Sequence, residues 1–159
     1  MSPKVKPIPA GYEAPTPYLV VRDAARAIDF YKKAFGAKEV MRMPGPDGKI
    51  GHADLQILGG HVMLADESPE MGHKSPESVG GSPVSLVLYV NDADAVVKKA
   101  VDAGAKVTRP LTDEFYGDRT ATLTDSFGHV WHVMTHIEDV SMEEMEKRAA
   151  QKAGVASTA

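Results

Sequence analysis

No cysteine occurs among the 159 residues. Its absence excludes disulfides, thiolate catalysis and cysteine-ligated zinc or iron–sulfur sites, and it fits a cytoplasmic protein. Long apolar runs are missing too. Nothing approaches the roughly 20 residues that a membrane-spanning helix needs, and Met1-Ser2-Pro3-Lys4-Val5-Lys6-Pro7 lacks the apolar stretch of a signal peptide. Excess positive charge is absent: the formal net charge is -4. With no dense Lys/Arg cluster, the chain offers no basic face for nucleic acid. There is no Gly-Xaa-Ser-Xaa-Gly elbow, no Walker loop and no dinucleotide fingerprint. Any metal would have to be held by His and carboxylates. The remaining composition, 43% hydrophobic and 25% charged, is that of a soluble globular chain long enough for one well-buried domain.

What the chain does have is a repeat. Gly60-His61-Val62-Met63-Leu64 recurs as Gly128-His129-Val130-Trp131-His132, 68 residues later. Val21-Arg22-Asp23-Ala24 echoes Val90-Asn91-Asp92-Ala93, and Gly36-Ala37-Lys38 echoes Gly104-Ala105-Lys106. One residue deleted from the second helix reconciles the offsets. Two copies of one supersecondary unit imply a pseudo-two-fold fold with a ligand site between the copies.

Local patterns give each copy the order βαβββ. In the first, Tyr18–Val21 reads as a strand and Asp23 as an N-cap for a helix over Ala24–Phe35, which Gly36 stops. Strands follow at Lys38–Met43, Ile50–Leu58 and His61–Ala65. In the second, the strand Ser85–Val90 leads to an Asp92-capped helix over Ala93–Ala103, with Val97 and Val101 inward. Next come the strand Lys106–Arg109, a loop over Leu111–Gly117, and a hairpin of Arg119–Thr124 with Val130–His136. The chain therefore divides into a proline-rich arm (1–15), a first module (16–66), a connector (67–83), a second module (84–137) and a C-terminal helix with a frayed tail (138–159). Ser141 and Glu144 form the capping box of that helix, and fraying is expected from Gln151. The fold class is α+β.

The segment Leu19-Val20-Val21-Arg22-Asp23-Ala24-Ala25-Arg26-Ala27-Ile28-Asp29-Phe30-Tyr31 carries a resemblance, as do Tyr116-Gly117-Asp118-Arg119 and Asp125-Ser126-Phe127-Gly128-His129-Val130-Trp131. Together they resemble the vicinal oxygen chelate superfamily over residues 16–137. The nearest likeness is to its glyoxalase/bleomycin-resistance-like branch, including small proteins named after a phosphonate-utilisation operon. The resemblance implies two βαβββ half-barrels paired around a cleft, and a homodimer. It also implies ligand positions on the first and last strand of each module, which fall on Thr16, Leu64, Ser85 and His132. The repeat pairs the same positions, Thr16 with Ser85 and Leu64 with His132. A metal site of that type needs four His, Glu or Gln side chains. This set contains one, so the usual metal site, and with it any cofactor, is expected to be absent.

Strand alternation puts Val130, His132, Met134 and His136 on one face. His132 there is a candidate acid/base or ligand-orienting residue, or a hydrogen-bonded filler of the half-barrel. His52 shares a face with Asp54 and Gln56, for ligand binding or simple solvation. His61 and His129 read as structural, and Trp131 as core. Arg119 is an anion clamp or the partner of Asp118 or Asp113. Tyr18, Tyr89, Phe115 and Tyr116 form a candidate aromatic wall, and Met41 and Met43 fill gaps. The leading expectation is a metal-independent small-molecule-binding protein. The alternatives are a lyase, isomerase or dioxygenase with a rearranged divalent-metal site including His132 and His52, and a metal-free enzyme with His132 as general base and Arg119 as clamp.

Overall fold

The computed structural model describes residues 5–156. The first module runs β1 (Tyr18–Val21), α1 (Ala24–Phe35), β2 (Lys38–Pro44), β3 (Ile50–Ile57) and β4 (Gly60–Asp66). A short α2 (Pro76–Val79) lies in the connector. The second module runs β5 (Ser85–Tyr89), α3 (Ala93–Asp102), β6 (Lys106–Asp113), β7 (Asp118–Thr124) and β8 (Val130–His136), and α4 (Met142–Ala156) closes the chain. Each module makes a four-stranded sheet, ordered β1-β4-β3-β2 and β5-β8-β7-β6. Neither sheet closes into a barrel. In both, the first strand pairs parallel to the last and the remaining pairs are antiparallel.

The helices start where the sequence signals them. The Asp23 carboxylate accepts from the Arg26 N–H, Asp92 caps α3 through the Ala95 N–H, and Gly36 at φ 66° stops α1. A second tie recurs. The Ala24 N–H donates to Asp66 and the Ala93 N–H to Thr135, each at 2.9 Å, so each helix start is anchored to the end of its module's last strand. In α3 the buried stripe is Ala93, Val97 and Ala100. Val101, expected inward, is 43% exposed, because α3 meets α1 through this narrow run of small side chains. The expected loop over Leu111–Gly117 shortens, since β6 continues to Asp113 through bulged pairing with β7. α4 runs on to Ala156 instead of fraying from Gln151. The expected fraying of residues 157–159 lies outside the described residues.

One continuous core serves both modules. Ile28, Tyr31 and Phe35 of α1 pack on Leu55 and Leu64 of their own sheet. The Tyr31 and Phe35 rings also lie 5.4 and 4.7 Å from the Trp131 ring of the other module. Trp131 is thus core, as its strand parity predicts. Burial of each such side chain contributes about 1.5–3 kcal/mol. Polar groups fix the docking. The buried Asp125 accepts from Tyr31 Oη (2.7 Å), Trp131 Nε1 (2.9 Å) and the N–H groups of Phe127 and His129. His129 Nε2 donates to the Val20 carbonyl at 3.0 Å, stitching the second hairpin turn to β1. His129 is therefore structural, as expected.

The repeat differs from its sequence appearance at one point. Across β3–β4, Ala53 pairs with Leu64 and Asp54 with Met63. Across β7–β8, Ala121 pairs with Val133 and Thr122 with His132. Equivalent positions are thus offset by 68 residues between β3 and β7 but by 69 between β4 and β8, one extra residue being taken up in the connection after β7. The duplicated Gly-His-Val is consequently out of step in space: His132 corresponds to Met63, and Leu64 corresponds to Val133. The β1 and β5 registers agree, with Tyr18 opposite Met63 and Val87 opposite His132.

Candidate functional site

Each sheet has one face covered by helix and core, and one open face. On the second module's open face stand Val130, His132, Met134 and His136 of β8, Ser85, Val87 and Tyr89 of β5, and Asp118, Thr120 and Thr122 of β7. His132 is held from both sides, with Nδ1 at 3.0 Å from Thr122 Oγ1 and Nε2 at 3.0 Å from Ser85 Oγ. Beyond it, the buried Asp118 carboxylate accepts from Tyr89 Oη at 2.6 Å and from His136 Nδ1 at 2.7 Å, while His136 Nε2 reaches Asp139 at 2.9 Å. These carboxylates hold the His136 imidazolium, Asp139 most and Asp118 next, and raise its pKa above the usual value. The bond to Asp118 likewise raises the Tyr89 phenol. Val87 and Tyr89 remain more than half exposed, so the polar cluster is flanked by uncovered apolar surface.

The first module's open face carries Tyr18, His52, Asp54 and Met63, with Met41 and Met43 at its far edge. Tyr18 Oη lies 2.9 Å from His52 Nδ1, and burial raises the Tyr18 phenol. Met41 and Met43 are exposed here and do not fill gaps in the core. Asp54 was expected as part of a His-Asp-Gln row, yet it is only 2% exposed. Tyr12 folds back from the N-terminal arm to cover it: the Tyr12 hydroxyl donates to Asp54 Oδ2 and His61 Nδ1 donates to Oδ1 at 2.8 Å. His61 is therefore part of a polar cluster on the open face and is not the counterpart of His129. Strand parity could have put His61 beside Asp54. Nothing in the sequence pointed to Tyr12.

Two other expected site residues lie elsewhere. Leu64 is fully buried and faces the core, because the longer second turn shifts the register by one. Arg119 is on the helix-facing side of β7, the side of Ala121 and Leu123. It grips Asp94 of α3 through two bonds (2.7 and 2.8 Å) and Asp113 through a third (2.8 Å). This is the ion-pair alternative, with Asp94 as an added partner, and it leaves no anion clamp beside His132. Phe115 and Tyr116 sit in the turn between β6 and β7, their rings edge to face at 5.3 Å, and the Phe115 carbonyl accepts from Arg148 of α4. Tyr116 is close enough to Tyr89 to raise its phenol electrostatically.

Between the free edges of β1 and β5 runs a groove of about 570 Å³. Tyr18 and Leu19 of the first module line it together with Ser85 and Val87 of the second, and so do Pro76 and Val79 of α2. His132 does not line the groove, but Ser85, which does, bonds His132.

The four positions that the resemblance assigns to metal ligands, with Leu64 exchanged for its register counterpart Met63, are Thr16, Met63, Ser85 and His132. A thioether, two neutral hydroxyls and one imidazole do not suit a first-row divalent ion, which favours imidazole and carboxylate donors. His52 stands on a different sheet from His132, bonded to Tyr18. Among the described residues, no three His, Asp or Glu side chains come together as a metal-holding group.

Comparison with known proteins places this geometry. A family model described as Glyoxalase/Bleomycin resistance protein/Dioxygenase superfamily matches residues 14–133. The Mycobacterium tuberculosis (strain H37Rv) protein Rv0887c is 50% identical over 134 residues, covering 82% of this chain and 79% of that one. The crystal structure of TioX from Micromonospora sp. ML1 superposes with a TM-score of 0.61 at 28% identity, over 82% of this chain and 99% of that chain. The structure of the Arabidopsis thaliana product At5g48480 gives a TM-score of 0.62 at 29% identity, over 77% and 98%.

Proposed function

Because the chain belongs to the Glyoxalase/Bleomycin resistance protein/Dioxygenase superfamily, we propose that it is a small-molecule-binding member without the superfamily's usual metal site. The observation that carries this reading is the donor set Thr16, Met63, Ser85 and His132, with both ring nitrogens of the one histidine engaged by hydroxyls. A metal-bound imidazole gives one nitrogen to the ion and the other to a supporting partner. Here both partners are side-chain hydroxyls, and each can turn to serve a ligand instead. The ligand lies over Val87, Tyr89 and Met134 and reaches the β1/β5 groove, whose volume falls within the roughly 300–1,000 Å³ of small-molecule sites. The exposed tyrosine and aliphatic walls favour a planar, largely apolar ligand whose polar group meets His132, Ser85 and Thr122.

The finer placement, beside the small proteins named after a phosphonate-utilisation operon, belongs to the same proposal. So does a cytoplasmic homodimer, in which a second copy covers the open faces. Its support is the apolar surface these faces leave uncovered: Tyr18, Met41 and Met43 on one, Val87 and Tyr89 on the other.

A planar anionic dye, 8-anilinonaphthalene-1-sulfonate, tests the binding reading. Saturable, stoichiometric binding that EDTA leaves unchanged and that Tyr89→Ala weakens several-fold is expected. Binding abolished by EDTA, or indifferent to Tyr89→Ala and His132→Ala alike, would overturn it.

A further inference from the structure

The N-terminal arm presents a side chain where a ligand would sit. Among the described residues, the hydrogen bonds from residues 5–16 to the rest of the fold reduce to one, from the Tyr12 hydroxyl to Asp54. The other bonds of this stretch are internal: Tyr12 N–H to the Pro9 carbonyl, and Gly11 N–H to Glu13. Val5 and Ile8 are exposed. The Tyr12 ring lies on the His61 imidazole, with centroids 4.3 Å apart and planes tilted by 32°. At Gly11, with φ 91°, an added Cβ would come within 3.0 Å of His61 Nε2. A single phenol therefore pins the arm.

The place it occupies is built for a hydroxyl. Asp54 is a nearly fully buried carboxylate flanked on its sheet by Met41 and Met63, with His61 Nδ1–H fixed on its second oxygen. A carboxylate left unpaired in such surroundings is strongly disfavoured. The His61 hydrogen bond does not run through Tyr12, so Asp54 keeps one partner when Tyr12 leaves. A phenol satisfies this site better than an alcohol. Its O–H is the more acidic donor, and its ring packs against the imidazole.

We infer that the Asp54–His61 pair is a second binding site, selective for small phenols, which the chain's own Tyr12 fills until a phenolic ligand displaces it. This site lies on the first module and does not use His132, so it stands apart from the binding function proposed above. A side chain on a short flexible tether competes at an effective concentration on the order of millimolar. Removing Tyr12 then raises the affinity for a free phenol by one plus the ratio of that concentration to the phenol's own Kd, about tenfold for a Kd of about 0.1 mM.

The probe is p-cresol, the tyrosine side chain without its backbone, titrated into the full chain and followed by NMR. In the wild type, the Tyr12 ring signals move toward solvent-exposed positions as p-cresol saturates. Tyr12→Ala binds p-cresol at least about tenfold more tightly than the wild type, and adding Asp54→Asn removes that binding. Toluene, which lacks the hydroxyl, does not bind, and His132→Ala leaves p-cresol binding unchanged. Equal affinity of wild type and Tyr12→Ala, binding of toluene as strong as that of p-cresol, or a Tyr12 ring unmoved at saturation would each overturn the inference. Should Tyr12→Ala fail to fold, the wild-type titration still decides through the Tyr12 ring shift and the comparison of p-cresol with toluene.

Discussion

Asp125→Ala will separate the two modules' contributions to stability. The carboxylate gathers four donors at the point where α1 meets the second sheet, two from the core side chains Tyr31 and Trp131 and two from its own turn. Tyr31 and Trp131 are fully buried, so the substitution strands a phenol and an indole N–H in the core. Each stranded donor costs about 1–3 kcal/mol, and the bonds are not additive because they share one acceptor. A total loss of about 3–5 kcal/mol follows, which for a chain of this size lowers the melting temperature by about 10 °C. Trp131 is the single tryptophan and lies against Asp125, so its fluorescence in urea unfolding reports the affected contact directly. Tyr31→Phe removes one donor and leaves the acceptor with three, so it should cost about 1 kcal/mol. If Asp125→Ala stayed within about 1 kcal/mol of the wild type, docking would have to rest on the apolar contacts alone, and the argument would fail.

Three further outcomes follow from the geometry. His136 is held protonated by Asp139 and Asp118, so its folded-state pKa lies above the unfolded value. Its stabilisation is complete below about pH 6.5 and is lost as pH rises through the folded value; thermal melts of His136→Gln against wild type should therefore differ more at about pH 6 than at about pH 9. Gly117→Ala should destabilise by at least about 2 kcal/mol in urea titrations, because the residue sits at φ 97° and an added Cβ would overlap the Glu138 carbonyl oxygen. His132→Ala should cost less than about 2 kcal/mol in the same assay, since it loses only two bonds to hydroxyls, while abolishing dye binding.

The duplicated architecture was legible because each punctuation mark has a local cause. Asp23 and Asp92 cap their helices, Gly36 stops the first, and alternating apolar residues set each strand. The open-face residues of β8 followed from parity. The register of His132 against the first module was not legible. The Gly-His-Val motif repeats at a constant offset, while the turn after β7 gains a residue that a hydrogen-bonded Asp125 turn absorbs. Sequence identity therefore aligned Leu64 with His132, although pairing aligns Met63 with it. The correction leaves the metal argument standing, because a soft thioether is a poor donor for a hard or borderline divalent ion. Arg119 could have been assigned from its own strand: Ala121 and Leu123 share its side of β7, which makes that side the buried one. Tyr12 escaped notice because a long-range contact made by an irregular arm leaves no periodic trace.

The central claim is that this member works without the superfamily's metal. Elemental analysis of protein purified without an affinity tag tests it most directly. The donor set of Thr16, Met63, Ser85 and His132 predicts nickel, zinc, iron and manganese contents far below one ion per chain. Any of these metals at near-unit stoichiometry, lost together with dye binding in His132→Ala, would contradict it.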